Sequence, residues 1–466
     1  MRTNTVLKLA ARSAWICLGL FGAITATADT TRDAALGFSG EVYVARRGLC
    51  HELFSDCSAG TANAPLLAVE IQHPTEPTVR MRVPETDGME VEGDASLVFE
   101  DASESLFVVW ESKAQANHSR VNLAWLHGGQ WSEVYEVSGD IYPLKGPPQV
   151  TITRDYFEIV NSVTATPTRF PRTAVHISWW EQGPEAEEVY YTPIFLIDGN
   201  YLGKNQVYNL SDLDPNPVPT TPVSLPSGLI RSPRIETGHD GNSSVLGFVN
   251  PATGRFLVFD LHVLPAELGL LGDQTAREIK DNADLLNPDG IAELAARARG
   301  HMIEMGHRLH PGIIRFIADD LAEEIQINGL TAGGIATLAN KARGHMIEMG
   351  ARSFINAGME GTTSSPVEEL LEIRPPAPPG APPGPAHQVW LRLVNDRIAP
   401  GVGSGPVWMF LSENGQRAIV SWEQDGDLRY RETRDSTWTA PRRIDLDGPI
   451  DAARAEQILR QRVRDR

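Results

Sequence analysis

From residue 40 to about 265 the apolar positions fall in short runs, rich in β-branched and aromatic side chains, separated by Gly, Pro, Asn and Asp. Runs of this length bounded by turn formers read as strands, and no helical period is sustained, so the region is expected to be all-β. One strand ending recurs: Phe107-Val108-Val109-Trp110-Glu111, Ile177-Ser178-Trp179-Trp180-Glu181 and Ile419-Val420-Ser421-Trp422-Glu423. A strand introduced by Gly or Pro precedes each copy, and two strand-like runs follow it: 121–126 and 131–137, 189–197 and 206–210, 428–433 and 437–444. Four short strands per module, repeating at roughly 40 to 60 residues, is the pattern of β-propeller blades. Residues 40–83 supply a first module. A further one starts at Ser232-Pro233-Arg234-Ile235, continues through 245–249 and 255–263, and stops one strand short.

The period then changes. Apolar positions over 268–286, 291–309, 313–327 and 335–355 recur at helical spacing, and Ser365-Pro366-Val367-Glu368 has the form of a capping box with Pro at the first helical position. Residues 375–385, PPAPPGAPPGP, form a stiff extended linker, and a strand pattern resumes at 387–394. That strand is expected to complete the interrupted module, so that Val263 and His387 lie on adjacent strands. The predicted fold class is therefore mainly β: a β-propeller of about five blades with an all-α helical insertion between strands of the fourth. The expected divisions are 29–264 and 387–446 for the propeller, 265–374 for the insertion, 375–386 for the linker and 447–466 for a charged tail.

The segment Gly426-Asp427-Leu428-Arg429-Tyr430-Arg431, followed by Trp438-Thr439-Ala440-Pro441-Arg442-Arg443-Ile444, resembles blades of the Asp-box, sialidase-like propeller group. The box places Asp five residues and Gly three residues before its Trp. Before Trp438 those places hold Thr433 and Asp435, and before Trp131 they hold Leu126 and Gly128. The resemblance covers about one and a half blades and implies a fold without an activity.

The N-terminus adds a compartment. Arg2, Lys8 and Arg12, an apolar stretch over 14–23 and then Ala26-Thr27-Ala28 predict a secretory signal over 1–28, with Asp29 as the mature N-terminus and a secreted or periplasmic location. Cys17 follows Trp15 and Ile16 rather than small residues, so lipidation is not expected. No later apolar run reaches the roughly 18 residues of a membrane span. The chain carries 41 Lys and Arg against 60 Asp and Glu, a net charge of -19, which repels phosphate backbones and argues against nucleic acid as a partner. In an exported chain the two remaining cysteines, Cys50 and Cys57, are expected to form a disulfide.

Two constellations could carry chemistry. Residues 298–306 (ARGHMIEMG) recur identically at 342–350, offset by 44 residues, which marks a duplicated helix. Its copies are expected to pack through Ile291, Leu294, Met302 and Met305 against Ile335, Leu338, Met346 and Met349. Alternatively His301, Met302, Glu304, Met305, His345, Met346, Glu348 and Met349 hold a metal, the thioethers suiting Cu(I) and the carboxylates a harder ion. His307 and His310 of the first copy become Ala351 and Phe354 in the second, which works against a symmetric site. The second constellation is the set Trp110, Glu111, Trp180, Glu181, Trp422 and Glu423. These residues either pack between blades and satisfy turns, or present a binding or carboxylate surface. A sialidase-like hydrolase would also need clustered arginines and an activated tyrosine, which no motif supplies. The acidic turn 212–216 lacks the glycine and distal Glu of a calcium loop, and no phosphate-binding loop, nucleophile elbow or zinc-protease helix is present. The expected function is binding of a carbohydrate or protein partner without catalysis. The alternatives are a secreted glycoside hydrolase of sialidase-like type and copper binding by the duplicated helices, and the sequence identifies no cofactor.

Overall fold

Strands that bury one face alternate apolar and polar residues, whereas strands covered on both faces read as unbroken apolar runs. The second kind dominates this chain, and the reason is visible in the computed structural model. It describes residues 34–281, 311–358, 368–373, 387–444 and positions 290, 296, 458, 459 and 461, apart from short stretches of which the longest are 140–144, 161–166, 216–232, 238–242 and 399–406. The described residues contain five antiparallel sheets, each built largely from strands that follow one another in the chain.

The first sheet runs Ala34–Leu36, Val42–Leu49, Pro65–Gln72, Val79–Arg82. The second runs Glu90–Glu100, Ser105–Gln115, His118–His127, and its outer strand is split into Gln130–Trp131 and Tyr135–Glu136. The third, Gln149–Val160, Pro167–Gln182, Glu187–Ile197, has the same split edge in Asn200–Tyr201 and Tyr208–Asn209. The fifth repeats it: Val407–Leu411, Ala418–Gln424, Asp427–Arg434, then Thr437–Trp438 and Arg442–Arg443.

The sheets stack face to face in chain order. Leu106, Val108 and Trp110 point to the first sheet, where they join Ala45, Leu67 and Val69. The alternate residues Phe107 and Val109 point the other way, to Val150, Ile152 and Ile177 of the third. Tyr191 and Phe195 of the third meet Leu246, Phe248 and Leu257 of the fourth, and Val245, Val249 and Val258 of the fourth meet Met409, Leu411 and Val420 of the fifth. The first strands of successive sheets are also in mutual contact.

The two end faces are covered differently. Leu66 and Ala68 of the first sheet lie under Cys50, Leu53, Phe54 and Cys57, and Cys50 and Cys57 form the expected disulfide. The outer face of the fifth sheet, Phe410, Ile419, Leu428 and Tyr430, lies under Ile458 and Leu459.

The fourth sheet orders its strands Arg234–Thr237, Ser243–Asn250, Arg255–Val263, His387–Ile398, Glu368–Ile373. Val263 pairs with Val389, so the strand before the helices and the strand after them are neighbours. The helical reading of the Ser365-Pro366-Val367-Glu368 capping box is corrected here, because Glu368–Ile373 is an edge strand pairing with His387–Arg392. Its Glu and Leu residues favour a helix locally. However, the open edge of His387–Ile398 offers backbone partners, and Leu371 is buried in the core between the third and fourth sheets.

Three longer helices are described: Ala266–Asp281, Pro311–Asn328 and Ala332–Gly358. They share a core of Leu268, Ile279, Leu321, Leu338, Ala342, Met346 and Ile347, which reaches the sheets through Leu264 and Trp390. The expected contact between duplicated helices involves Ile291, Leu294, Met302 and Met305, which lie outside the described residues, as do the signal segment and the Pro-rich linker. Leu338 and Met346 pack on Ala276, Ile279 and Leu321. No described helix is long and apolar enough to cross a membrane.

Where the helical segment leaves and rejoins the sheets, Arg172 of the third sheet is buried. Its guanidinium pairs with Asp155, with Nε 2.6 Å from Oδ1. It also donates to the Leu264 carbonyl at 2.6 Å and to His387 Nδ1 at 3.0 Å. One side chain thus ties together the start and the end of a segment longer than a hundred residues. Burial, with Arg172 adjacent, drives the His387 imidazole down to about 3, and burial alone drives His176 to about 3. His176 sits between Thr153 Oγ1 at 2.8 Å and the Tyr191 hydroxyl at 2.7 Å.

Two predictions follow from this architecture. Both histidines are neutral when folded but bind protons near pH 6.5 when unfolded, so the stability they contribute is complete above that pH and is lost as pH falls from about 6.5 toward 3. Between pH 7 and 5 each should remove about 2 kcal/mol. Urea denaturation at the two pH values checks this, and His176→Gln should flatten the pH slope. In the second, a short Gly/Ser linker replaces residues 266–366 while Glu368–Ile373 is kept. The β-sheet circular dichroism signal and a cooperative melt should survive, and loss of both would make the helices part of the main core.

Candidate functional site

Strand register decides which motif residues are equivalent. Across the second sheet Trp110 pairs with Asn122 and Asn122 with Glu136. The matching row of the third sheet is Trp179, Tyr190, Asn209, and of the fifth Trp422, Arg429, Arg443. The structural counterpart of Trp110 and Trp422 is therefore Trp179 rather than Trp180, which the sequence alignment selected. The side chains agree: Trp179 Nε1 donates to Glu181 two residues on at 2.7 Å, and Trp422 Nε1 to Gln424 at 3.3 Å. A one-residue shift turns a side chain to the opposite face of a sheet. Trp179 accordingly packs toward the second sheet and Trp180 toward the fourth. A Cβ on Gly146 would overlap the Trp180 indole, so bare backbone covers that ring.

The motif carboxylates are withdrawn from solvent. Glu111 is 4% exposed and Glu181 2%. Lys145, from the segment joining the second and third sheets, brings its Nζ to 3.8 Å from Glu181. Burial pushes the Glu181 carboxyl up against the opposing pull of Trp179 and Lys145. The Glu423 side chain lies outside the described residues. Trp110, Trp179 and Trp422 are all buried, and the first two pack between sheets.

In the duplicated helix, His345 Nε2 lies 2.5 Å from Asp320 Oδ2, and Lys341 bridges Asp320 and Glu324 at 3.1 Å each. Met346 faces the helical core. The side chains of His301, Met302, Glu304, Met305, Glu348 and Met349 lie outside the described residues. Among the described residues no group of three or more His, Cys, Asp or Glu is arranged to hold a metal.

The described surface opens elsewhere, into a cleft of about 290 Å³ between the first and second sheets. Tyr43 and Phe99 stack in its wall, with centroids 5.0 Å apart and planes 12° from parallel. Met81, Leu106 and Leu126 add apolar surface, and Glu41 and Glu104 supply its charge. Burial raises the Tyr43 hydroxyl, and Glu41 and Glu104 raise it further, so at neutral pH it is a phenol.

Two turns shape the mouth. Gly128 and Gly129 have φ of 55° and 77° and join His127 to Gln130 by the two-residue hairpin that requires positive φ at both positions. Glu104 has φ of 50°, a left-handed conformation uncommon for a residue with a side chain. Beside it, Ser105 Oγ lies 3.1 Å from His127 Nδ1, a spacing that invites comparison with a nucleophile and its base. That nitrogen, however, lies 2.8 Å from the Ser103 carbonyl, which can only accept, so Nδ1 carries the proton and cannot take one from Ser105. The group clamps a turn.

Sequence reasoning missed this cleft because its lining comes from six strands and three turns. One signal was present. Trp131 and Trp438 each pair with the residue five positions earlier, Leu126 and Thr433, across a two-residue hairpin, and Tyr201 repeats this with Leu196. That spacing marks the outer hairpin of the second, third and fifth sheets, and in the second it forms one lip of the cleft.

Removing the cation from the buried pair should be costly: Lys145→Met should destabilise the fold by about 3 to 5 kcal/mol, because the Glu181 charge loses its compensation. Adding Glu181→Gln, which keeps an acceptor for Trp179, should recover more than half of the loss in urea denaturation.

No protein-family model matches the chain, and a search of curated proteins finds no relative.

Proposed function

We propose that the five sheets are the blades of a propeller and that the protein is an exported binding protein, recognising a partner without chemically changing it. The stacking of four- and five-stranded antiparallel sheets in chain order, with their first strands in contact, supports the propeller reading. The intramolecular disulfide and the signal-like N-terminus support export.

One observation carries the preference for binding. The repeated carboxylates Glu111 and Glu181 are sealed between sheets, while the open cleft has a stacked aromatic wall and no cation among its described lining residues. A sialidase-like hydrolase needs arginines for an anionic sugar and a tyrosine that ionises readily. Here Glu41 and Glu104 would repel such a sugar, and Tyr43 is pushed away from ionisation. Rigid sheets carrying an aromatic-walled concavity at their loop ends suit recognition.

The test is a screen of the mature protein against a glycan array and a protein-partner capture panel, beside chromogenic glycosides. Saturable binding without turnover is expected. Turnover of any glycoside, abolished by substitution of Glu41 or Glu104, would overturn the binding reading.

A further inference from the structure

Among the described surfaces, the cleft between the first two sheets combines an aromatic face, carboxylates and enclosure, and its chemistry narrows the choice of ligand. We propose that it receives the guanidinium group of an arginine side chain presented by a polypeptide partner. This rests on the binding reading and specifies its ligand class.

The first argument is charge. Glu41 and Glu104 are the charged residues of the described lining, which holds no Lys, Arg or His, although His73 Nδ1 approaches Glu41 Oε1 at 3.9 Å. Both carboxylates line the cleft together with Tyr43, whose hydroxyl is raised by burial and then by Glu41 and Glu104. An anion entering would meet two like charges beside apolar walls that screen poorly, and a cation would meet two opposite ones.

The second argument is shape. The Tyr43 and Phe99 rings stack nearly parallel on one another, and the pair lines the cleft with Met81 and Leu106. A planar guanidinium stacks on an aromatic face and forks its N–H groups toward carboxylates, whereas an ammonium is a strongly hydrated point charge. The methylene stem of arginine suits the apolar walls. A neutral sugar is read by mixed donors and acceptors, and the polar side chains here are two acceptors and one phenol.

The third argument is size. About 290 Å³ lies just below the volumes that take small ligands, enough to receive one long side chain. A side chain reaching in from a partner would keep its backbone at the mouth, where Gly128 and Gly129 present no side chains. A Cβ built on either of them would meet nothing within 4 Å.

The experiment titrates the full mature chain with N-acetyl-arginine methylamide, with the same compound built on citrulline as a neutral isostere, and with a short arginine-containing peptide. Binding is read by calorimetry and by Tyr fluorescence at low and high salt. The expected result is saturable binding of the arginine probe, at least tenfold weaker binding of citrulline, and weakening by salt. Affinity should fall at least fivefold in Glu104→Gln, an exposed position whose unchanged melting curve would confirm that the fold is intact. Tyr43→Leu should weaken binding at unchanged salt dependence. The peptide should bind more tightly than the single-residue probe, and equal affinity would overturn the polypeptide source. Equal binding of arginine and citrulline, absence of binding by either, or wild-type affinity in both variants would overturn the proposal. Neutral N-acetylglucosamine competing for the cleft would overturn the cationic ligand while leaving the binding reading intact, whereas glycoside turnover that survives substitution of both Glu41 and Glu104 would strike that reading alone.

Discussion

Each inner sheet of this protein is apolar on both faces and must be covered on both, and most of the architecture follows from that constraint. A strand such as Ser105–Gln115 sends Leu106, Val108 and Trp110 to one neighbour and Phe107 and Val109 to the other. Two-sided burial makes the strands continuous apolar runs, forces the sheets to stack, and leaves polar groups inside the stack only where they find partners. Glu181 with Lys145 and Trp179, and His176 between Thr153 and Tyr191, are such cases. The same constraint acts at the two ends of the stack, where no further sheet is packed among the described residues. A disulfide-closed turn covers the first sheet and a C-terminal segment covers the fifth.

The helical segment is accommodated without interrupting this order because its two ends return to one place. Arg255–Val263 and His387–Ile398 pair as if they were consecutive. Closing a long loop costs only slightly more entropy than closing a short one, so the pairing tolerates the excursion. Arg172 then fixes the junction from the neighbouring sheet, holding the Leu264 carbonyl on one side and His387 on the other. Its own burial is compensated by Asp155, so the clamp is a satisfied network rather than an isolated charge. The helices pack on the sheets through Leu264 and Trp390 at the same junction.

The cleft lies where the constraint relaxes. Between the first and second sheets the deep core closes around Leu67, Val69 and Val108, but toward the turns at residues 101–104 and 128–129 the packing opens. Tyr43 and Phe99 then serve both purposes, lying against the core with one part of their surface and lining the cleft with another. The Trp-Glu motif lies four to five residues further along the strand from Leu106, roughly 15 Å away at the rise of a β-strand. The recurring signature and the open site are therefore separate features of the same sheet.

Local signals in the chain were enough to establish the strand modules, the helical segment with its return to the fourth sheet, and the cysteine pair, because hydrophobic period, turn residues and cysteine count each act over short distances. They did not establish register. Trp179 and Trp180 are adjacent and identical in type, and only pairing with Tyr190 and Asn209 shows which of them faces the second sheet. They also misread Glu368–Ile373, whose residues favour a helix in isolation and form a strand because an exposed sheet edge lies beside them. The cleft was invisible for the same reason. Glu41, Tyr43, Phe99 and Glu104 belong to no shared motif, and only the stacking of two sheets brings them together, since side chains distant in the chain acquire a common environment only through tertiary packing.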